Sequence, residues 1–251
     1  MTRFMASLLA GLLWTGAAAA QDDASCAVAG HLAYADYRLS RVAAAEKKKQ
    51  LDIAVLGSGS STLRGPSGAD QAYPWRLQAA LAKRLPNAAV KVTSYAKSGS
   101  TTEEMRKDIQ KILQASKLTL VVWQAGTVDA MRGVDPDTFQ TALASGVEAL
   151  QGAGVDVILM NMQYSPRTES MIALTPYADI MRVVAQQHEV PMFDRFAIMR
   201  HWHEMGTFDL LAATKSVDTA VRVHDCIAQL LADVIIEGAK NDEGQQVKAL
   251  Q

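Results

Sequence analysis

Apolar and polar positions along the chain fall into blocks whose repeat switches between two and about 3.6, the periods that strands and helices impose. Short apolar runs at 53–56, 90–95, 118–123, 155–160 and 190–193 have the length of strands. Between them lie longer amphipathic stretches. One covers 73–85 with Pro74 in its first turn, and another runs to about 114 from Thr101 and Glu104 at capping-box spacing. Two more cover 136–151 and 177–187. The run 118–123 is almost wholly apolar, as expected of a strand covered on both faces. At the two ends, 27–47 predicts an alanine-rich helix with Leu32, Tyr37, Leu39 and Val42 on its stripe. A final helix over 218–237 is predicted to bury Ala220, Val223, Ile227, Leu230, Leu231 and Val234. Strands alternating with helices predict a parallel sheet with helices on both faces, an α/β fold. No repeat or linker divides the chain, so 21–240 reads as one domain, followed by a mostly polar, frayed tail over 241–251.

In sheets of this kind, ligands gather at the carboxyl ends of the strands. Those ends read GSGSST at 57–62, Ser98-Gly99, QAGTVD at 124–129 and NMQY at 161–164. All four are small, polar or glycine-rich. The first poses the sharpest question, because an apolar strand runs straight into Gly57-Ser58-Gly59-Ser60-Ser61-Thr62. A flexible loop is the plain explanation. Convergence of four such ends favours a serine presented as a nucleophile.

Composition narrows the field. The chain has 251 residues, 49% hydrophobic and 20% charged, with a net charge of -1, values that suit one globular domain with a full core. Near-neutral charge gives no footprint for nucleic acid or an anionic membrane, and Lys47-Lys48-Lys49 beside Glu46 reads as a solvated helix end. Residues 1–20 have the form of a secretory signal peptide: Arg3, an apolar stretch over 4–14 broken only by Ser7, then Ala18-Ala19-Ala20. The expected mature chain starts near Gln21 and is periplasmic or secreted. A bilayer span takes about 20 apolar residues, so no stable membrane insertion is expected after cleavage; an uncleaved anchor is the competing reading. In an exported chain Cys26 and Cys226 are expected to form a disulfide, worth roughly 4 to 5 kcal/mol by loop closure, the alternative being two buried thiols. The five histidines are scattered without ligand spacing, so no metal is expected. GSGSST is neither a P-loop nor a dinucleotide fingerprint, so no cofactor is expected either.

Taken in order, the strand-end blocks resemble those of the SGNH (GDSL-type) hydrolases over about 52–234. The resemblance implies a three-layer α/β/α sandwich around a central, mostly parallel, flavodoxin-like sheet. Gly59-Ser60-Ser61-Thr62, with Gly65 following, reproduces the spacing of the family's Gly-Asp-Ser-Leu, with Ser60 at the aspartate and Ser61 as nucleophile. Counting from Gly57 lands instead on Gly59, so the loop carries an extra residue and Ser60 is the close second choice. Gly99 fits the family's second block and Gly126-Thr127-Val128-Asp129 its third, Gly-x-Asn-Asp. The backbone N–H groups of Gly99 and Thr127 are the implied oxyanion donors, and Asp129 the implied support of the serine loop. Val128 replaces the family's oxyanion-binding asparagine, and Gln124 or Asn161 are the amides that could stand in for it. Where the family has Asp-x-x-His this chain reads Lys215-Ser216-Val217-Asp218, and the next histidine is His224, with Asp225 or Asp209 as orienting acid. His224 reads equally well as a core histidine. His201 and His203 are two apart and face different sides of a helix, so they make no joint ligand pair, although one of them could enter the site.

A serine hydroxyl needs a base within reach before it attacks. The resemblance implies an exported esterase or deacetylase for a small acyl or acetyl ester, on a carbohydrate or a lipid, and acetyl transfer would use the same serine chemistry. Val128 and Asp218, standing where the asparagine and histidine belong, support the rival reading of a degenerate binding or accessory protein. Trp123, Trp202, Met160, Met162, Met181 and Met199 read first as core.

Overall fold

A computed structural model describes residues 26–63, 65, 67–211 and 217–241. Along them run α1 (Ser40–Lys47), β1 (Gln50–Gly57), a 3-10 turn (Gly59–Ser61), α2 (Gly68–Gln71), α3 (Tyr73–Arg84), β2 (Ala89–Ala96), α4 (Thr102–Ala115) and β3 (Leu120–Gln124). There follow α5 (Thr127–Arg132), α6 (Pro136–Gly152), β4 (Asp156–Met160), α7 (Pro166–Met171), α8 (Thr175–Gln187), β5 (Met192–Phe193), α9 (Arg195–Glu204) and α10 (Val217–Lys240). The signal-like residues 1–20, the tail beyond 241, and Lys215 and Ser216 lie outside the described residues.

The five strands form one parallel sheet in the order β2-β1-β3-β4-β5. Successive side chains point to opposite faces, and the core divides accordingly. Leu51, Ile53, Val55, Leu120, Val122, Ile158 and Met160 pack with Val42, Leu77, Leu81, Ile227 and Leu231, from α1, α3 and α10. Ala54, Leu56, Val121, Trp123, Val157 and Leu159 pack with Ile109, Phe139, Leu143, Val147 and Met181, from α4, α6 and α8. Each layer thus closes one face of a sheet whose middle strand β3 is buried throughout, which yields the three-layer α/β/α sandwich.

Local signals set the helix starts. Thr101 and Glu104 complete the expected capping box of α4. Asp135 caps α6 ahead of Pro136, and Asp194 caps α9 by accepting from the Ala197 N–H. The expected helix over 27–47 is α-helical only from Ser40, preceded by a 3-10 turn at Gly30–Leu32. Tertiary partners take the backbone groups that a longer helix would have paired internally: Leu39 N–H donates to the Gly238 carbonyl, and the Ala35 and Ala27 carbonyls accept from Asn241 and Trp202. The disulfide between Cys26 and Cys226 is formed, and it ties this irregular segment to α10 across 200 residues of chain. No described helix is long and apolar enough to cross a membrane.

Candidate active site

Strand order reverses between β1 and β3, with β2 lying to one side and β4 and β5 to the other. A crevice at such a switch point is where open parallel sheets place their ligands. β1 ends at Gly57 and β3 at Gln124, and the two ends meet through side chains. The 3-10 turn Gly59–Ser61 is closed by the Ser61 N–H on the Ser58 carbonyl, and it carries both candidate serines. Gly57 has to be glycine here, since a Cβ at that position would overlap the Ser61 hydroxyl.

The two serines differ in environment. Ser61 is buried, 1% exposed; its hydroxyl donates to Gln124 Oε1 at 2.5 Å and lies 3.2 Å from the Tyr73 hydroxyl. Ser60 is half-buried, and its Oγ accepts from Gln124 Nε2. One carboxamide therefore bridges both hydroxyls. Gln124 Oε1 also accepts from Arg195 Nη1 at 3.3 Å, and the same Nη1 donates to the Ser60 carbonyl at 3.0 Å. Arg195, the first residue of α9, is 0% exposed, and its guanidinium sits 5.5 Å from the centre of the Tyr73 ring.

Charge and burial work against each other around this group. Burial pulls the Arg195 guanidinium down to about 10, partly offset by Tyr73, which leaves it a cation at neutral pH. Burial raises the Tyr73 phenol, opposed by the Arg195 charge and by the bond to Ser61. His224 is held well below its ordinary value of 6.5 by burial, then by Arg195 and Arg76, so its ring is neutral. Its Nδ1 accepts the Tyr73 backbone N–H at 3.0 Å. With Nδ1 so engaged, the neutral ring carries its hydrogen on Nε2. His224 connects to the serines through Tyr73, and among the described residues no histidine nitrogen hydrogen-bonds Ser60 or Ser61.

The remaining sequence candidates take these positions. Gly99 lies in the turn after β2 at φ +78°, and Ser98 beside it faces Gly59. Thr127 opens α5, where the helix's own ladder does not use its N–H, and its buried Oγ1 has no partner. Gly126 just before it adopts φ +93°, and a Cβ there would come within 2.6 Å of Met162 Sδ. Buried Asp129 accepts from both the N–H and the hydroxyl of Thr102, pinning the start of α4 beside α5. Of the two stand-in amides, Asn161 is occupied at the start of α9, donating to Asp194 and accepting from the Phe196 N–H. Gln124 is the one that reaches a serine. Asp225 pairs with Arg76 at 2.7 Å, and Asp209 accepts from the Leu211 N–H. His201 and His203 fall in the last turn of α9. Trp123, Trp202, Met160, Met162, Met181 and Met199 are all buried in the core. Among the described residues no three His, Cys, Asp or Glu side chains gather to hold a metal ion.

Sequence reading missed Arg195 and Tyr73. The signal for Arg195 is its place two residues after β5, at the fifth strand end. Tyr73 gave no comparable signal, because it reads simply as the first residue of an amphipathic helix.

The profile of the non-GDSL lipase-like family matches residues 25–241. No curated protein matches the chain. Among solved structures, TesA is 21% identical over 73% of this chain and 99% of its own, with a TM-score of 0.56. LAE5, an α/β hydrolase enzyme from the metagenome of Lake Arreo, Spain, is 18% identical over 74% of this chain and 95% of its own, with a TM-score of 0.60. A catalytic mutant of Axe2, an acetylxylan esterase from Geobacillus stearothermophilus, is 18% identical over 74% and 94%, with a TM-score of 0.59. At these identities the likeness is one of fold.

Proposed function

The chain belongs to the non-GDSL lipase-like family, and we propose that it is an exported SGNH-type serine esterase for a small acyl or acetyl ester on a carbohydrate or lipid. The observation that carries this reading is the serine pair bridged by one carboxamide at the switch point of the sheet, with Gly99 in the turn after β2 and Thr127 at the start of α5. Ser60 is the attacking hydroxyl in this proposal, because it is the more accessible of the two and receives a hydrogen bond rather than giving one. Ser61 braces it. The N–H groups of Gly99 and Thr127 serve the oxyanion that forms as the carbonyl is attacked. His224 is the proton acceptor, neutral as a base must be, once its Nδ1 leaves the Tyr73 N–H. Structural neighbours named as esterases support the substrate class, and the Cys26–Cys226 disulfide supports an oxidising compartment.

One observation favours a second reading, a binding protein without turnover: the His224 lone pair is already engaged by Tyr73. Hydrolysis of p-nitrophenyl acetate by the disulfide-bonded mature chain separates the two. The esterase reading expects turnover that Ser60→Ala abolishes. Equal rates in the wild type and in a Ser60→Ala/Ser61→Ala double variant would refute it.

A further inference from the structure

A guanidinium only donates hydrogen bonds, whereas a carboxamide has one accepting end and one donating end. Arg195 therefore has to meet the oxygen of Gln124, and it does so at 3.3 Å while its Nη1 also holds the Ser60 carbonyl at 3.0 Å. The consequences run through the whole site. With Oε1 turned to Arg195, Ser61 becomes a donor to that oxygen at 2.5 Å, and the Tyr73 hydroxyl, 3.2 Å away, donates to Ser61 Oγ. Nε2 is left facing Ser60, whose Oγ accepts from it and keeps its own hydrogen available. Were the amide reversed, Nε2 would oppose the guanidinium and Ser60 would have to give its hydrogen to Oε1.

Burying a cation is costly unless something returns the lost hydration. Among the described residues Arg195 has no carboxylate partner, and its buried Nε has no hydrogen-bond partner. Its compensation comes from a carbonyl, a carboxamide oxygen and the face of Tyr73. An apolar side chain would fill this space without that cost, so the charge calls for a role other than packing.

We infer that Arg195 is a positioning residue of the candidate active site: clamped between the Ser60 carbonyl and Gln124 Oε1, it fixes the direction of the carboxamide and so makes Ser60, not Ser61, the serine with a transferable proton. Arg195 acts through Gln124 and the Ser60 backbone, not on the reacting atoms. Only the kinetic part of its test rests on the esterase reading.

The test compares Arg195→Lys, which keeps a donor-only cation, with Arg195→Met and Arg195→Gln in the disulfide-bonded mature protein. Circular dichroism and thermal unfolding check the fold, and Arg195→Gln carries the test should the Met variant not fold. Its own amide offers either a donor or an acceptor, so the directional constraint is lost while a polar side chain remains. Side-chain amide NMR, with the Gln124 signal assigned by its loss in Gln124→Leu, should show slow hydrogen exchange in the wild type and the Lys variant. In the Met or Gln variant it should be faster by about tenfold, with backbone amides of β1 and β3 still protected. Kinetically, kcat on p-nitrophenyl acetate should fall about 100-fold in the Met or Gln variant with KM within about twofold, and the Lys variant should recover most of it. A folded Met or Gln variant with unchanged exchange overturns the inference, as does a Lys variant no better than either of them. If the wild type hydrolyses nothing while exchange responds as stated, the inference stands and the esterase reading falls.

Discussion

Two buried polar clusters sit at neighbouring strand ends, and they are built to different ends. At the start of α4 and α5, Asp129 accepts from the N–H and the hydroxyl of Thr102, so every described bond serves to lock one loop to another. At the ends of β1 and β3, Gln124 joins two serines, and the Arg195 cation fixes its direction. The first cluster is a staple. In the second, half-buried Ser60 keeps its hydroxyl hydrogen out of the network, and the buried Arg195 charge has no carboxylate partner among the described residues, which is costly in a merely structural network. Closed satisfaction suits a structural role, and the open hydroxyl at the switch point is what the proposed active site uses.

The difference is broken most severely by Gln124→Leu, which removes the donor to Ser60 together with the shared acceptor of Ser61 and Arg195. Turnover on p-nitrophenyl acetate should fall about 100- to 1,000-fold, the range found when one preorganised donor is lost, and steady-state kinetics would show it. A fall of less than about threefold would put Gln124 in the same class as Asp129.

Asp129→Ala tests the other half. It orphans the buried Thr102 N–H and hydroxyl, and urea unfolding should report a loss of about 2 to 3 kcal/mol, as expected for hydrogen bonds to a charged acceptor. Its effect on turnover should be smaller than that of Gln124→Leu. The opposite ranking would reverse the roles assigned to the two clusters.

The smallest effect concerns pH. The folded-state value of His224 lies below 6.5, first because of burial and then because of Arg195 and Arg76. In the unfolded chain the ring titrates near 6.5. Below that pH the unfolded state takes up a proton that the folded state refuses, so this group's contribution falls as pH drops from about 6.5 toward the folded value. The slope is at most about 1.4 kcal/mol per pH unit, and above pH 7 the group adds no dependence. Arg195 and Arg76, the latter paired with Asp225, are the charges that act on the ring, and Tyr73 is its uncharged neighbour. Chemical unfolding between pH 5 and 8 should therefore show a weaker acid dependence in His224→Gln than in the wild type. Identical slopes would place the ring in solvent.

Much of the fold could be read from the chain because the signals were local. β1 and β3 are short, nearly continuous apolar runs of the length a covered strand takes, and the α4 capping box needs just Thr101 and Glu104. The cysteine pair was legible for a different reason, there being only two to join. The serine bend and Gln124 were visible as polar residues at strand ends. What escaped was carried by distant partners. Arg195 meets Ser60 across 135 positions, and Tyr73 meets His224 across 151. Nothing in "FDRF" marks its arginine as buried among 25 basic residues. The N-terminal stretch misled for the same reason: alanine propensity favoured a helix over 27–47, and contacts with α10 and Trp202 override it before Ser40.

The central claim is that the hydroxyl made ready by the carboxamide is that of Ser60. Treating the mature protein with a fluorophosphonate and mapping the modified peptide by mass spectrometry tests it directly. The account predicts a single covalent adduct on Ser60, absent in Ser60→Ala and retained in Ser61→Ala. An adduct on Ser61, or no adduct at all on the folded protein, would contradict it.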